Sequence, residues 1–380
     1  MKRQLQVMVI FGTRPEAVKM APVIKELQKH PEEILSRVVI TAQHREMLDQ
    51  VLTSFNITPD VDLNLMQPDQ TLAQTTARIF LDLDPVLEKH QPDWLLVQGD
   101  TTTVMAAAIL GYYHRIKVGH IEAGLRTHDK WQPFPEEINR RLAGVVADLH
   151  FAPTENNRQN LLREGVPDEI IRITGNPAID ALHYVSKQPI PPETATLLAK
   201  AGVSPGNRRL VLITAHRREN FGEPIRDICR ALKKLADHYR DEIALIYPVH
   251  LNPNIQEPVY QVLSGVDNIH LLPPMDYLPL VHLMKHAALI LTDSGGIQEE
   301  APSLGIPTLV LRQRTERQEG VDAGTLKLVG TDPDRIFHET CQLLDDPQAH
   351  AAMAGAVNPY GDGTAAQKIV SALLENWRAD

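Results

Sequence analysis

The chain has 380 residues, of which 43% are hydrophobic and 23% charged, and its formal net charge is −10. This length suits two domains that each bury a core, and the composition is typical of a globular protein. The acidic balance argues against a nucleic-acid or anionic-membrane surface, so any phosphate site must be a local basic pocket.

No targeting or membrane segment is evident. The N-terminal apolar run, Val7 to Phe11, is too short for a signal peptide, and no stretch approaches the roughly 18 apolar residues of a membrane helix. Cys229 and Cys341 lie far apart without metal-ligand spacing, and we expect them to pack in helices. The sequence therefore predicts a cytoplasmic protein without a bound metal.

Short apolar runs alternate with helical patterns from end to end, which is typical of parallel α/β layers. We predict two doubly wound domains, residues 1–175 joined by a C-terminal helix at 364–380, and residues 176–363. A ligand is expected in the cleft between them, at the carboxyl ends of the strands. The predicted strands are Leu5–Phe11, Arg37–Thr41, Trp94–Gln98, Lys117–Ile121, His150–Ala152, Arg209–Thr214, Ile243–Pro248, Ile269–Leu272, Leu289–Leu291 and Thr308–Leu311.

The first strand runs into a turn that carries two basic residues. Gly12 permits the turn, Pro15 suits the first turn of a helix, and Arg14 and Lys19 follow. An arginine fork and a lysine point charge suit phosphate oxygens, although such residues are equally at home in solvent. The spacing is not the GxGxxG fingerprint of dinucleotide-binding folds.

Carboxylates follow the next strands of the first half. Asp100 ends the strand at Trp94–Gln98, and Glu122 ends the strand at Lys117–Ile121. Glu136 and Glu137 open a later helix. Each has an ordinary alternative, Asp100 as a helix N-cap and the glutamates as first-turn acids. Carboxylates at one cleft edge would raise at least one pKa towards the range of general acid–base catalysis.

Two features mark the second half. His216 follows the strand at Arg209–Thr214 and precedes two arginines, which favours a functional role. Ser294-Gly295-Gly296 lies between a buried strand and a helix. This turn is either an anion site, using free N–H groups and the helix dipole, or an ordinary strand-to-helix corner. His250 closes another strand in a proline-rich loop that suits a structural role equally well.

Together these segments resemble the non-hydrolysing UDP-N-acetylglucosamine 2-epimerase family over essentially the whole chain. Each motif alone is weak, but they occur in order. The motifs are Phe11-Gly12-Thr13-Arg14-Pro15-Glu16, Thr41-Ala42-Gln43-His44-Arg45, Gly99-Asp100-Thr101-Thr102, His120-Ile121-Glu122-Ala123-Gly124-Leu125-Arg126, Pro133-Phe134-Pro135-Glu136-Glu137, Ala215-His216-Arg217-Arg218-Glu219-Asn220 and Asp293-Ser294-Gly295-Gly296-Ile297-Gln298-Glu299-Glu300.

The resemblance implies two Rossmann-like domains in the GT-B architecture, a homodimer, and no cofactor. It implies reversible conversion of UDP-GlcNAc to UDP-ManNAc through elimination of UDP to 2-acetamidoglucal and its re-addition. By motif, the acid–base candidates are Asp100, Glu122, Glu136 and His216. The implied UDP-sugar contacts are Arg14, Lys19, Met275, Leu280, Ser294, Gly295, Gly296, Glu300 and Arg317.

The sequence departs from the family at one implied site. Relatives activated by their own substrate have a second nucleotide-sugar site, matched here by Gln43, Gln70, Arg218 and His250. Glu46 and Asp69 replace a glutamine and a basic residue of that pattern. Because carboxylates repel a diphosphate, we hypothesise that allosteric activation is weakened or absent.

Other functions fit parts of the pattern. A GT-B glycosyltransferase shares the UDP-binding half but needs an acceptor groove and often a single base. A hydrolysing epimerase that releases ManNAc is a near neighbour. An inactive UDP-sugar sensor conflicts with the retained acid–base residues. The clustered carboxylates favour the non-hydrolysing epimerase.

Overall fold

A computed structural model describes residues 3–41, 45–65 and 70–379, apart from the side chains at 45–47 and 379. The chain divides into two compact units, Met1–Ala181 with Tyr360–Asp380, and Leu182–Pro359. The sequence places the boundaries after residues 175 and 363.

The elements follow one another as alternating strands and helices over most of the described residues. In chain order they are β1 (Leu5–Phe11), α1 (Arg14–Leu27), β2 (Ile34–Ile40), α2 (Arg45–Ser54), β3 (Val61–Asp62), α3 (Leu72–His90), β4 (Trp94–Gln98), α4 (Thr102–Tyr113), β5 (Lys117–Ile121), α5 (Glu136–Val146), β6 (Leu149–Ala152), α6 (Glu155–Arg163), β7 (Ile171–Ile173), α7 (Pro177–Ser186), α8 (Pro192–Lys200), β8 (Arg209–Thr214), α9 (Glu223–His238), β9 (Ile243–Pro248), α10 (Pro253–Leu263), β10 (Ile269–Leu272), α11 (Tyr277–His286), β11 (Ala287–Thr292), α12 (Gly295–Glu300), β12 (Thr308–Val310), α13 (Gln318–Asp322), β13 (Leu326–Leu328), α14 (Pro333–Asp345), α15 (Pro347–Ala354) and α16 (Ala365–Ala379).

Each unit is built on one parallel sheet, which confirms the predicted α/β class. Within the described residues the first sheet has the order β3-β2-β1-β4-β5-β6-β7 and the second β10-β9-β8-β11-β12-β13. The order reverses between β1 and β4 in the first unit and between β8 and β11 in the second. Ligands of such sheets bind outside the carboxyl ends of the strands at this switch point.

The central strands are buried because helices cover both faces of each sheet. Every residue of β4 is buried, and β8 is buried from its second residue onward. Such strands read as continuous apolar runs, which made them visible in the sequence. Six strands have the predicted bounds, but β3, β7 and β13 were missed. These have only two or three residues, too few for a periodic pattern.

The C-terminal helix belongs to the first unit. Helix α16 packs on α1, and the buried carboxylate of Asp180 accepts hydrogen bonds from the backbone N–H groups of Ala365 (3.2 Å) and Ala366 (2.9 Å). A carboxylate at a helix N-terminus satisfies free donors and complements the helix dipole. Within the described part of the chain, no helix has both the length and the apolar character needed to cross a bilayer.

Two histidines lie side by side in the core of the first unit. His120 on β5 and His150 on β6 are register partners, and each is 1% exposed. Burial lowers the pKa of His120 to about 4, and burial with the neighbouring His120 lowers that of His150 to about 3. Both rings are therefore neutral in the folded protein at neutral pH.

This pair predicts how acid destabilises the first unit. Because the unfolded chain binds protons near pH 6.5 and the folded unit does not, the free energy of unfolding should fall as pH drops from about 6.5 to about 4. Replacing His150 by glutamine should reduce that slope by about 1.4 kcal/mol per pH unit. Urea unfolding as a function of pH, followed by tryptophan fluorescence, measures this slope of the free energy of unfolding.

The fluorescence reports on the correct unit, since Trp94, Trp131 and Trp377 all belong to the first. The control variant is His30→Gln, whose parent side chain is 35% exposed, and its slope should match that of the unmodified protein. Equal slopes for His150→Gln and the unmodified protein would mean that His150 is charged in the fold.

Candidate active site

One buried carboxylate joins the two turns at the switch point of the first unit. Glu16, 3% exposed, accepts hydrogen bonds from the backbone N–H groups of Gly12 (3.0 Å) and Thr13 (2.8 Å) after β1. Its other oxygen accepts from the Thr101 hydroxyl (2.6 Å), beyond the end of β4. Burial raises the pKa of Glu16, which these donors oppose. The turns that carry Arg14 and Asp100 are thus held together.

Asp100 follows β4 and pairs with a buried cation. Its carboxylate accepts a hydrogen bond from Arg140, whose side chain is 5% exposed. Burial, together with Glu122 and Glu136 nearby, raises the pKa of Asp100, although Arg140 opposes the shift. The N-cap of α4 is Thr101, whose hydroxyl accepts from the Val104 N–H, so the alternative of Asp100 as a cap is wrong.

Glu122 lies beyond the end of β5 in the left-handed region, with φ +63°. A glutamate in this conformation costs energy that the surrounding contacts must offset, and such strain clusters at functional sites. Its carboxylate accepts from Lys19 (2.5 Å), from Asn176 (2.9 Å) and from Gln98. A Cβ at Gly99 would stand 3.5 Å from Glu122 Oε2, so this carboxylate lies against the turn that carries Asp100.

The two adjacent glutamates of α5 have different surroundings. Glu137 is fully buried, accepts from the backbone N–H groups of Thr127 (3.1 Å) and His128 (3.2 Å), and pairs with Arg140. It is a structural anchor for the preceding loop. Glu136 is only partly buried, and its Oε2 has no hydrogen-bond partner among the described residues. Of these two carboxylates, only that of Glu136 has an oxygen without a hydrogen-bond partner among the described residues.

A second buried carboxylate joins the switch-point turns of the second unit. Asp293, directly after β11, is fully buried, and its Oδ2 accepts from the backbone N–H groups of His216 and Arg217 (2.8 Å each) beyond β8. The same oxygen accepts from the Asn220 side chain (2.9 Å). His216 Nδ1 lies 3.4 Å from the other oxygen, Oδ1. Asp293 therefore links the His216 turn to the glycine turn.

Two guanidinium groups lie over the glycine turn. Helix α12 begins at Gly295, with Ser294 as its N-cap residue. A Cβ added at Gly295 would stand 3.1 Å from Arg317 Cζ and 3.3 Å from Arg217 Nη2. Free N–H groups at a helix start and cationic forks are groups that suit an anion.

Acidic side chains hold these cations in place. Arg317 donates to Glu299 and to Glu316 at 2.8 and 2.9 Å. Burial alone would raise the pKa of Glu316, but Arg317 and Arg312 outweigh it and lower that pKa to about 2. The ionised Glu316 thus helps to hold the Arg317 fork over the start of α12.

The remaining predicted contacts fall on both units. Arg14 opens α1 and makes no ion pair with any described residue. Met275 precedes α11 and Leu280 lies within it, both half-buried apolar side chains. Glu300 ends α12 and is 9% exposed.

The residues of the possible second site are described only in part. Gln43 and Asp69 lie outside the described residues, as does the side chain of Glu46. Gln70 is half-buried and Arg218 exposed. The His250 ring stacks on that of His216 with centroids 5.7 Å apart and planes 14° apart.

The sequence reasoning missed the partners of the predicted groups. It gave no role to Asp293, Arg140 or Glu316, and it did not pair Gln98 and Asn176 with Glu122. Asp293 carried a usable signal, since it directly follows a buried strand next to the switch point. The other partners lie on elements that only tertiary packing brings close to the predicted site residues.

Comparison with known proteins gives a consistent result over the whole chain. A family model described as UDP-N-acetylglucosamine 2-epimerase matches residues 25–374. A UDP-N-acetylglucosamine 2-epimerase of Yersinia pestis is 54% identical over 371 residues, 97% of this chain and 98% of that protein. The crystal structure of UDP-GlcNAc 2-epimerase from Neisseria meningitidis bound to UDP-GlcNAc matches with a TM-score of 0.89 and 50% identity, covering 98% of this chain and 100% of that one. The enzyme of Methanocaldococcus jannaschii, solved in complex with UDP-GlcNAc and UDP, matches with a TM-score of 0.79 and 31% identity, covering 98% and 100%.

The anion site makes a prediction for Gly295→Ala. The added methyl group should displace the Arg317 and Arg217 forks from the helix N-terminus and raise the Kd for inorganic pyrophosphate by about tenfold. Because the forks are flexible and alanine favours a helix, the fold should tolerate the change. Isothermal titration calorimetry measures the Kd.

The control is Gly144→Ala in α5 of the first unit, where an added Cβ would have only ordinary contacts, the nearest at 3.7 Å. It should leave pyrophosphate binding unchanged. Unchanged binding by Gly295→Ala as well would rule out the two forks as the anion site.

Proposed function

Because the chain belongs to the UDP-N-acetylglucosamine 2-epimerase family, we propose that it reversibly inverts C2 of UDP-GlcNAc to give UDP-ManNAc. The proposed route is elimination of UDP to 2-acetamidoglucal followed by re-addition. The observation that carries this route is the carboxylate group Asp100, Glu122 and Glu136 at the switch point of the first unit. Inversion at carbon needs both a base and an acid, and one carboxylate cannot serve both faces of C2.

The surroundings of the three carboxylates suggest different roles. Glu136 has an oxygen without a partner among the described residues, which suits a base. Burial raises the pKa of Asp100, although Arg140 opposes the shift, and a raised pKa suits a group that delivers a proton. Glu122 is bound by Lys19, Asn176 and Gln98 and therefore suits a positioning role.

In the proposed first step, Glu136 takes the proton from C2. The electron pair of the C2–H bond forms the C1–C2 double bond, and the C1–O bond breaks with its pair moving to the β-phosphate oxygen of UDP. In the second step, Asp100 delivers a proton to the opposite face of C2, and the UDP oxygen forms a new bond to C1. The return reaction exchanges the roles of the two carboxylates.

The second unit is proposed to hold UDP. Gly295 and Gly296 offer helix N–H groups next to the N-cap residue Ser294, and Arg317 and Arg217 offer cationic forks where negative charge builds on the leaving oxygen. Glu300 is proposed to accept from the ribose, Met275 and Leu280 to contact uracil, and Arg14 and Lys19 to add cationic contacts. No metal or cofactor takes part, and we propose a cytoplasmic homodimer.

Incubation with UDP-GlcNAc in D2O, followed by NMR, tests the reaction. Because the acid exchanges its proton with solvent, UDP-ManNAc should appear with deuterium at C2. Free ManNAc with UDP would instead identify a hydrolysing epimerase. Absence of both exchange and cleavage would refute the epimerase and leave a glycosyltransferase or a sensor.

The assignment of Glu136 as base predicts the behaviour of Glu136→Gln. Its kcat should fall by about 10²- to 10⁴-fold, because an amide does not accept the C2 proton, while the Kd for UDP stays within about threefold. Steady-state rates and calorimetry measure the two. The matched control, Glu169→Gln at an exposed position of the same unit, should keep full activity. A kcat of Glu136→Gln within tenfold of the unmodified enzyme would contradict the assignment.

We also propose that activation by a second UDP-GlcNAc molecule is weakened or lost, because Glu46 and Asp69 would repel its diphosphate. Initial rates with UDP-ManNAc alone should then change little when a trace of UDP-GlcNAc is added. The matched variant Glu46→Gln, Asp69→Arg should gain a response to the trace. Strong activation of the unmodified enzyme by the trace of UDP-GlcNAc would refute the hypothesis.

A further inference from the structure

One oxygen of the buried Asp293 carboxylate accepts three hydrogen bonds, and the other faces the His216 imidazole. Oδ2 accepts from the His216 and Arg217 N–H groups and the Asn220 side chain. Oδ1 has no hydrogen-bond partner among the described residues, and His216 Nδ1 lies 3.4 Å from it. A buried carboxylate oxygen without a donor is costly, and a small rotation of the imidazole brings that donor within bonding distance.

Other contacts limit how the His216 ring can turn. The His250 ring stacks on it, nearly parallel, and the Asn252 N–H donates to His250 Nδ1 at 3.1 Å. The His216 side chain is 40% exposed, so one edge of the ring remains accessible while the other meets Asp293. The ring is thus constrained on one face and along one edge.

The charges around His216 favour a neutral ring. Burial lowers its pKa, and Arg217 and His250 act in the same direction, whereas Asp293 opposes them. A neutral imidazole carries one proton, and the nitrogen that holds it is set by the hydrogen bond of the other edge. A carboxylate oxygen without a proton accepts hydrogen bonds, so the one proton of the neutral ring belongs on the nitrogen that faces Oδ1.

We propose that Asp293 is a positioning residue that holds His216 as the Nδ1–H tautomer and so presents Nε2 to the substrate as a hydrogen-bond and proton acceptor. The identity of that substrate rests on the proposed function, but the assignment of the tautomer does not. His216 then accepts from a hydroxyl of the sugar nucleotide next to the diphosphate. It does not donate to a phosphate oxygen in the resting enzyme.

The variant Asp293→Asn tests the tautomer assignment because its amide can fit in only one orientation. The three donors that meet Oδ2 require the amide oxygen there, which turns the amide NH2 towards His216 Nδ1. That nitrogen must then accept, and the proton moves to Nε2. The substitution should reverse the tautomer while keeping nearly the same shape.

Proton–nitrogen correlation NMR on the imidazole nitrogens of 15N-labelled enzyme reads the tautomer directly, with His216→Gln to assign the signals. The unmodified enzyme at neutral pH should carry the proton on Nδ1 and Asp293→Asn on Nε2. The variant should lose about 100-fold or more in kcat, while its Kd for UDP stays within about threefold. An Nε2–H or doubly protonated His216 in the unmodified enzyme overturns the proposal, and that measurement does not depend on the folding of Asp293→Asn.

The matched control is Asn220→Ala, which removes one donor to the same oxygen but leaves the Oδ1 contact in place. It should keep the Nδ1–H tautomer and lose at most about tenfold in kcat. An unchanged rate for Asp293→Asn despite a reversed tautomer would also overturn the positioning role. If the tautomer is found as expected and no deuterium enters UDP-ManNAc, the proposed function fails and the tautomer assignment stands.

Discussion

The active-site arrangement in each unit depends on one buried carboxylate that bridges two strand ends at the switch point of its sheet. Glu16 ties the turn after β1 to the turn after β4, and Asp293 ties the turn after β11 to the turn after β8. Both are met mainly by backbone N–H groups and neutral side chains. Because backbone donors have fixed positions, a carboxylate bound to them fixes the geometry of the turn.

The two units place different charged groups around these bridges. In the first, carboxylates are in excess, and the buried Arg140 and the half-buried Lys19 hold them without neutralising the cluster. In the second, two guanidinium groups stand over a helix N-terminus, where Glu316 and Glu299 pair with Arg317. Opposite charges in direct contact fix side-chain positions. The first pattern suits proton transfer and the second suits a diphosphate.

The sequence predicted the fold well because β4, β8 and their neighbours are continuous apolar runs. It predicted residues at strand ends, such as Asp100 and His216, because topology alone brings those ends together. It did not separate Glu136 from Glu137 on physical grounds, since both suit a first helical turn. Only packing distinguishes them, because Glu137 points at the N–H groups of the preceding loop. The short edge strands carry no periodic signal.

Asp293 connects two functions that the sequence reasoning treated separately. Its side chain orients His216, and the next residue, Ser294, begins the anion site; the Ser294 N–H donates to the Thr292 hydroxyl at 2.9 Å. A change in the charge of a bound diphosphate therefore occurs close to the Asp293 carboxylate, and this carboxylate determines which His216 nitrogen carries the proton. Since interactions between charges strengthen in a buried environment, Asp293 can make the state of the histidine depend on the state of the leaving group. Asp293 alone thus explains why the proposed anion site and His216 lie next to each other in the second unit.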